Sequence, residues 1–106
     1  MTMTLEPFND TDDRPDYPVG FWTWLMLDVQ IGDVIGLRWH EDKERYYYEP
    51  DANGLNPMMN DGYTIDRETA LKMSDAAIKA IPNQPKHKSL MRFSKFCTDS
   101  GGFKIY

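Results

Sequence analysis

The feature that most restricts the fold is the punctuation of residues 66–106. Pro82 closes one amphipathic stretch, Pro85 keeps the next residues extended, and Gly101-Gly102 closes a second. Between these marks the apolar spacing is helical. Asp66 stands where an N-cap accepts from first-turn amides, with Ile65 before it and Ala70 four residues beyond as a hydrophobic staple. Ala70, Ser74, Ala77, Ile78 and Ile81 fall on one stripe, with Leu71 beside it. Glu68 with Lys72, and Asp75 with Lys79, form i,i+4 pairs in the better order, acid first. A second helix is predicted over 88–99. Leu90, Phe93 and Cys97 share its inner face, Met91 and Phe96 widen that face, and Lys88, Arg92 and Lys95 share another. Gly101 supplies the left-handed residue that ends it. Phe103-Lys104-Ile105-Tyr106 alternates and predicts a terminal strand added to a sheet.

The pattern Phe93, Phe96, Cys97, Ser100, Gly101, Gly102, Phe103, Ile105 resembles the ending of small uncharacterised bacterial and phage proteins. In these a helix carrying F-x-x-F-C is followed by S-G-G-F-x-I. Asp61-Gly62, and a helix containing Ala70, Ala76, Ala77 and Ile81, fit the same arrangement. The likeness covers residues 60–106. It implies a packing module and no catalytic residues. Its physical content is a sharp reversal at two glycines that folds Phe103 back over Phe93 and Phe96.

The N-terminal part reads differently. Residues 1–18 carry Asp10, Asp12, Asp13 and Asp16 among Pro7, Pro15 and Pro18, and are expected to be a flexible acidic tail. Phe8 and Tyr17 are its only aromatics, available to staple it to the domain. The globular domain is expected to span 19–106. Leu27, Val29 and Ile31 alternate with polar residues, as do Ile35, Leu37 and Trp39, with Gly32-Asp33 as a turn between two strands. Phe21-Trp22-Thr23-Trp24-Leu25-Met26 fits either a helical turn or a buried strand, and strand is preferred. Glu41-Asp42-Lys43-Glu44 is a polar tip, and Trp39 to Tyr46 reads as a hairpin in which Tyr46 and Tyr48 share a face. Residues 50–63 form a loop whose Met58-Met59 dock on the core. The fold class is α+β: a small antiparallel sheet, made of an N-terminal meander plus the C-terminal strand, packed against two helices.

Composition narrows the function classes. The chain has 106 residues, enough for one domain and one small core. One cysteine excludes an internal disulfide framework and a cysteine-based zinc cluster. No apolar run approaches a membrane span and no export signal begins the chain, so a cytoplasmic location is expected. The net charge of −5 is unevenly spread. Residues 1–18 hold five acids and one base, 19–65 eight acids and three bases, and 66–106 four acids and eight bases. Such polarity is either neutralised inside the molecule or turned outward toward partners.

Residues able to carry chemistry are few. His40 lies beside Glu41 and Asp42, where a carboxylate-assisted base is conceivable, but His87 is far along the chain and neither has ligand spacing. Cys97 shares its helical face with Leu90 and Phe93 and reads as buried rather than nucleophilic. Asp51-Ala52-Asn53-Gly54-Leu55-Asn56 starts like a calcium loop, but Asn56 and Gly62 stand where glycine and glutamate are required. There is no phosphate-loop, G-x-S-x-G or H-E-x-x-H pattern, so no catalytic residue, cofactor or metal is expected.

What remains is binding. Asp28, Asp33, Glu41, Asp42, Glu44 and Glu49 offer an acidic face to a protein partner with a basic surface. Size, charge and the resemblance together suggest a phage or mobile-element inhibitor of a host nucleic-acid-acting complex. The alternative is nucleic-acid binding through Lys86, Lys88, Arg92 and Lys95, for which whole-chain acidity is unfavourable. An enzyme with a His40–carboxylate site is the third reading. Nothing in the pattern fixes an oligomeric state.

Overall fold

Thr2-Met3-Thr4-Leu5 alternates polar and apolar, and that alternation builds the first strand. The computed structural model describes residues 1–40, 45–47, 53–85 and 87–106, with backbone alone for 38–40 and 45–47. Strand β1 (Thr2–Pro7) pairs with β2 (Asp16–Pro18) on one side and β6 (Phe103–Ile105) on the other, and β5 (Tyr63–Ile65) follows β6. The order β2-β1-β6-β5 is antiparallel throughout. Met3 faces Tyr17, Leu5 faces Ile105 and Ile65 faces Phe103; all six are buried.

The expected flexible tail over 1–18 is therefore overturned: this segment contributes two of the sheet's four strands. Its acids are compatible with folding because Asp10 and Asp12 sit exposed in the β1–β2 connection and Asp16 points outward. Its prolines close strand ends rather than interrupting them. Tyr17 docks on the core, whereas Phe8 stays half exposed.

The strands expected between 21 and 37 are also overturned. Helix α1 (Val19–Thr23) runs into a π-helical turn (Trp24–Asp28), in which the Val29 N–H donates to the Trp24 carbonyl at 3.0 Å. A 3-10 turn (Ile31–Ile35) follows, after Gln30 adopts a left-handed backbone with φ 67°. Trp22, Leu25 and Met26 are buried at helical spacing, and burying those large side chains outweighs the alternation of Leu27, Val29 and Ile31. Strands β3 (Arg38–His40) and β4 (Arg45–Tyr47) form the expected hairpin, with Trp39 opposite Tyr46. They make a separate two-stranded sheet rather than part of the main one. The pairing of Tyr46 with Tyr48 on one face lies outside the described residues.

Helix α2 (Arg67–Ala80) starts as its cap dictates: the Thr69 N–H donates to Asp66 Oδ1 at 2.8 Å, which holds that carboxyl below its usual range. Its buried face is Ala70, Met73, Ser74 and Ala77. Ile78 and Leu71, expected on or beside the core stripe, are instead 54% and 40% exposed, because Met73 takes the inner position. Pro82 lies in a closing 3-10 turn (Ile81–Asn83). Helix α3 (His87–Asp99) buries Leu90, Phe93, Phe96 and Cys97, while Met91 is 57% exposed rather than part of that face. At its end the Ser100 N–H donates to the Phe96 carbonyl, and Gly101 and Gly102 take φ of 69° and 103°. Phe103 returns against Phe96, ring centroids 5.3 Å apart. Phe93 meets Tyr17 and Trp22 instead, at 6.5 and 6.2 Å. The chain leaving β1 ties this corner: the Asn9 and Phe8 amides donate to the carbonyls of Ser100 and Gly102. Trp22 Nε1–H donates to the Pro57 carbonyl and pins the 53–62 loop, where Met58 packs on the core but Met59 is exposed.

Candidate functional site

Folding sorts the two charge signs. Arg92, at the centre of the basic group on α3, is held by Asp13 from the β1–β2 connection, Nη2 to Oδ1 at 2.7 Å. That bond raises the already high guanidinium pKa. Lys95 is held by Asp99 at 2.8 Å one turn along its own helix. Lys88 is exposed and has no carboxylate partner among the described residues; Lys86 lies outside them. Of the cations expected to meet nucleic acid, two of the three described ones are therefore already paired with carboxylates. Lys72 and Lys79 are likewise matched by Glu68 and Asp75, in the pairs the spacing predicts.

The acids behave otherwise. Asp28 ends the π-helical turn and Asp33 lies in the 3-10 turn. Both are exposed, and neither forms an ion pair among the described residues. Asp10 and Asp12 are exposed in the same way. Glu41, Asp42, Glu44 and Glu49 lie outside the described residues, so of the expected acidic face only Asp28 and Asp33 are placed.

Comparison with protein-family models, curated proteins and solved structures finds no match to this chain.

The groups with chemical potential are placed as follows. His87 is exposed at the start of α3; His40 is in β3, with its side chain outside the description. Among the described residues no three His, Cys, Asp or Glu side chains gather as a metal site would require. Cys97 is buried, and burial pushes its thiol pKa up, away from the reactive thiolate. Asn56, where the calcium-loop comparison fails, accepts from the Met58 N–H at 2.7 Å and closes a local turn. No helix among the described residues is long and apolar enough to cross a membrane.

Tyr17 is a buried polar group with a measurable signature. It is 7% exposed, its ring lies 4.7 Å from that of Phe21, and its hydroxyl finds no hydrogen-bond partner among the described residues. Burial pushes its pKa from 10.0 up to about 12. The folded state therefore holds the phenol proton more tightly than the unfolded chain does. This contribution is complete below pH 10.0 and is lost as pH rises toward about 12. Tyr17→Phe is expected to stabilise the protein by about 1 kcal/mol at neutral pH, since an unpaired buried hydroxyl is removed. It should also flatten the alkaline fall in stability. Urea denaturation of both proteins at neutral and alkaline pH checks this; a loss of stability in the variant would show that the hydroxyl is bonded.

Two features were hidden in the sequence. Asp13 as the partner of Arg92 became visible only with β1 and β2 in place. The outward setting of Ile78 and Met91 was the second, since both stand at helical spacing beside residues that the core does bury.

Proposed function

We propose that this chain is a non-enzymatic protein-binding module that presents an acidic surface to a partner with a basic one. The observation that carries the reading is the Asp13–Arg92 bridge, together with what it leaves over. One N-terminal acid is spent on the central cation of α3, while Asp28 and Asp33 stay exposed and unmatched among the described residues. The net charge of −5 then acts outward and raises the rate of encounter with a basic partner. The phosphate-binding face of a nucleic-acid-acting complex is the kind of surface such a module suits, which is the inhibitor reading.

The test is affinity capture from a bacterial lysate. A protein partner should be retained at about 50 mM salt and largely lost at about 500 mM, where screening shortens the reach of exposed charges to a few ångströms. The Asp28→Asn/Asp33→Asn variant should lose it at both. Equal retention at both salt levels, and by the variant, would remove the electrostatic basis of the proposal.

A further inference from the structure

Helices α2 and α3 run antiparallel, with Ser74 meeting Ser94 and Thr98, and Ile78 and Ile81 sharing a groove with Met91. This groove opens to solvent, has a volume of about 350 Å³, and is lined by Ile78, Ile81, Met91, Ser94 and Lys95. Ile81 packs against the core, but the other two apolar walls do not serve it: Ile78 and Met91 are each more than half exposed. Below them the Ser74 hydroxyl bonds to Ser94 at 2.7 Å and to Thr98 at 3.0 Å, so the small polar groups between the helices are satisfied.

We propose that this groove receives an amphipathic helix of a partner protein whose apolar stripe is flanked by acidic side chains. The surface is distinct from Asp28 and Asp33 and does not depend on them. The shape argues for a helix, since the trough between two antiparallel helices accepts a third by ridge-and-groove packing. The charge argues for acids. Among the described residues the only charged side chain lining the groove is Lys95, and Lys88 stands two turns before it on the same helix, exposed and without a carboxylate partner. The acids on these helices, Glu68, Asp75 and Asp99, each already hold a lysine. Lys95 can exchange Asp99 for an incoming carboxylate cheaply, because exposed i,i+4 pairs contribute only tenths of a kcal/mol. A second copy of this chain is the poorer occupant: two-fold packing of this groove on itself brings Lys95 toward its own counterpart.

The experiment titrates the full chain into two labelled synthetic helical peptides of about 18 residues, with the same leucine seam and either Glu or Lys flanks. The Glu-flanked peptide should bind at least about tenfold more tightly and shift the NMR amides of Ile78, Met91 and Lys95. Ile78→Gln/Met91→Gln should weaken it by about tenfold or more with the melting temperature unchanged, since both side chains are already exposed. Lys95→Glu should reverse the preference between peptides. Equal binding of both peptides, indifference to the Gln variant, or self-association that the Gln variant abolishes would each overturn the proposal. The Gln variant leaves Asp28 and Asp33 intact, so salt-sensitive capture through the acidic surface succeeds or fails separately.

Discussion

Leu5→Ala is expected to destabilise the protein by about 3 kcal/mol, as for other fully buried leucines, and to lower its melting temperature by about 15 °C. Leu5 is fully buried, lies opposite Ile105 across the β1–β6 ladder, and its amide donates to the Pro15 carbonyl at 2.8 Å. The truncation leaves a cavity between the first and last strands of the chain. A loss of that size is a large fraction of what holds a domain this small together. Urea denaturation measures it. A change below about 0.5 kcal/mol, the scale of ordinary surface substitutions, would mean that residues 2–7 are not an inner strand.

Gly102→Ala is the second large effect. The backbone there has φ of 103°, which an L side chain rarely adopts. An added Cβ would stand 2.7 Å from the Ile65 carbonyl oxygen and 3.0 Å from the Arg67 nitrogen, both backbone atoms at the junction of β5 and α2. Backbone strain and overpacking together are expected to cost about 3 kcal/mol or more. At Gly101 the three atoms nearest the added Cβ all belong to the Asn9 side-chain amide, which can shift at the cost of its hydrogen bond to the Asp99 carbonyl, so Gly101→Ala should cost less. Thermal denaturation of the two variants side by side checks the order. Equal losses would point to backbone conformation alone rather than to the close approach at Ile65.

The parts of this fold that were legible are those written in local chemistry. Asp66 caps α2, Pro82 and the glycine pair end the helices, and Phe103 to Ile105 forms a strand, because each depends on residues within a turn or two of itself. The Trp39–Tyr46 hairpin was legible for the same reason. Residues 1–18 were not, because their stabilising contacts lie at the other end of the chain: Leu5 on Ile105, and Phe8 on Gly102. The density of acid and proline masked the alternation of Met3 and Leu5. Between 21 and 37 two periodicities compete, and the heavier side chains, Trp22, Leu25 and Met26, settled it for helix. The sequence spacing of Ile78 did not show which of two neighbouring faces of α2 would turn inward. At the surface, the exposure of Asp28 and Asp33 followed from their residue type. The neutralisation of Arg92 did not, because Asp13 is 79 positions away.

That pairing separates a module that binds a basic protein from one that binds phosphate. The direct measurement is a mobility shift of labelled single- and double-stranded DNA and RNA at about 50 mM salt, where phosphate contacts are strongest. With Arg92 on Asp13 and a net charge of −5 opposing a phosphate chain, the wild-type protein is expected to produce no shift. A shift that fades steeply with added salt and disappears in the Lys88→Gln/Arg92→Gln/Lys95→Gln variant would contradict the account and return the basic helix to nucleic acid.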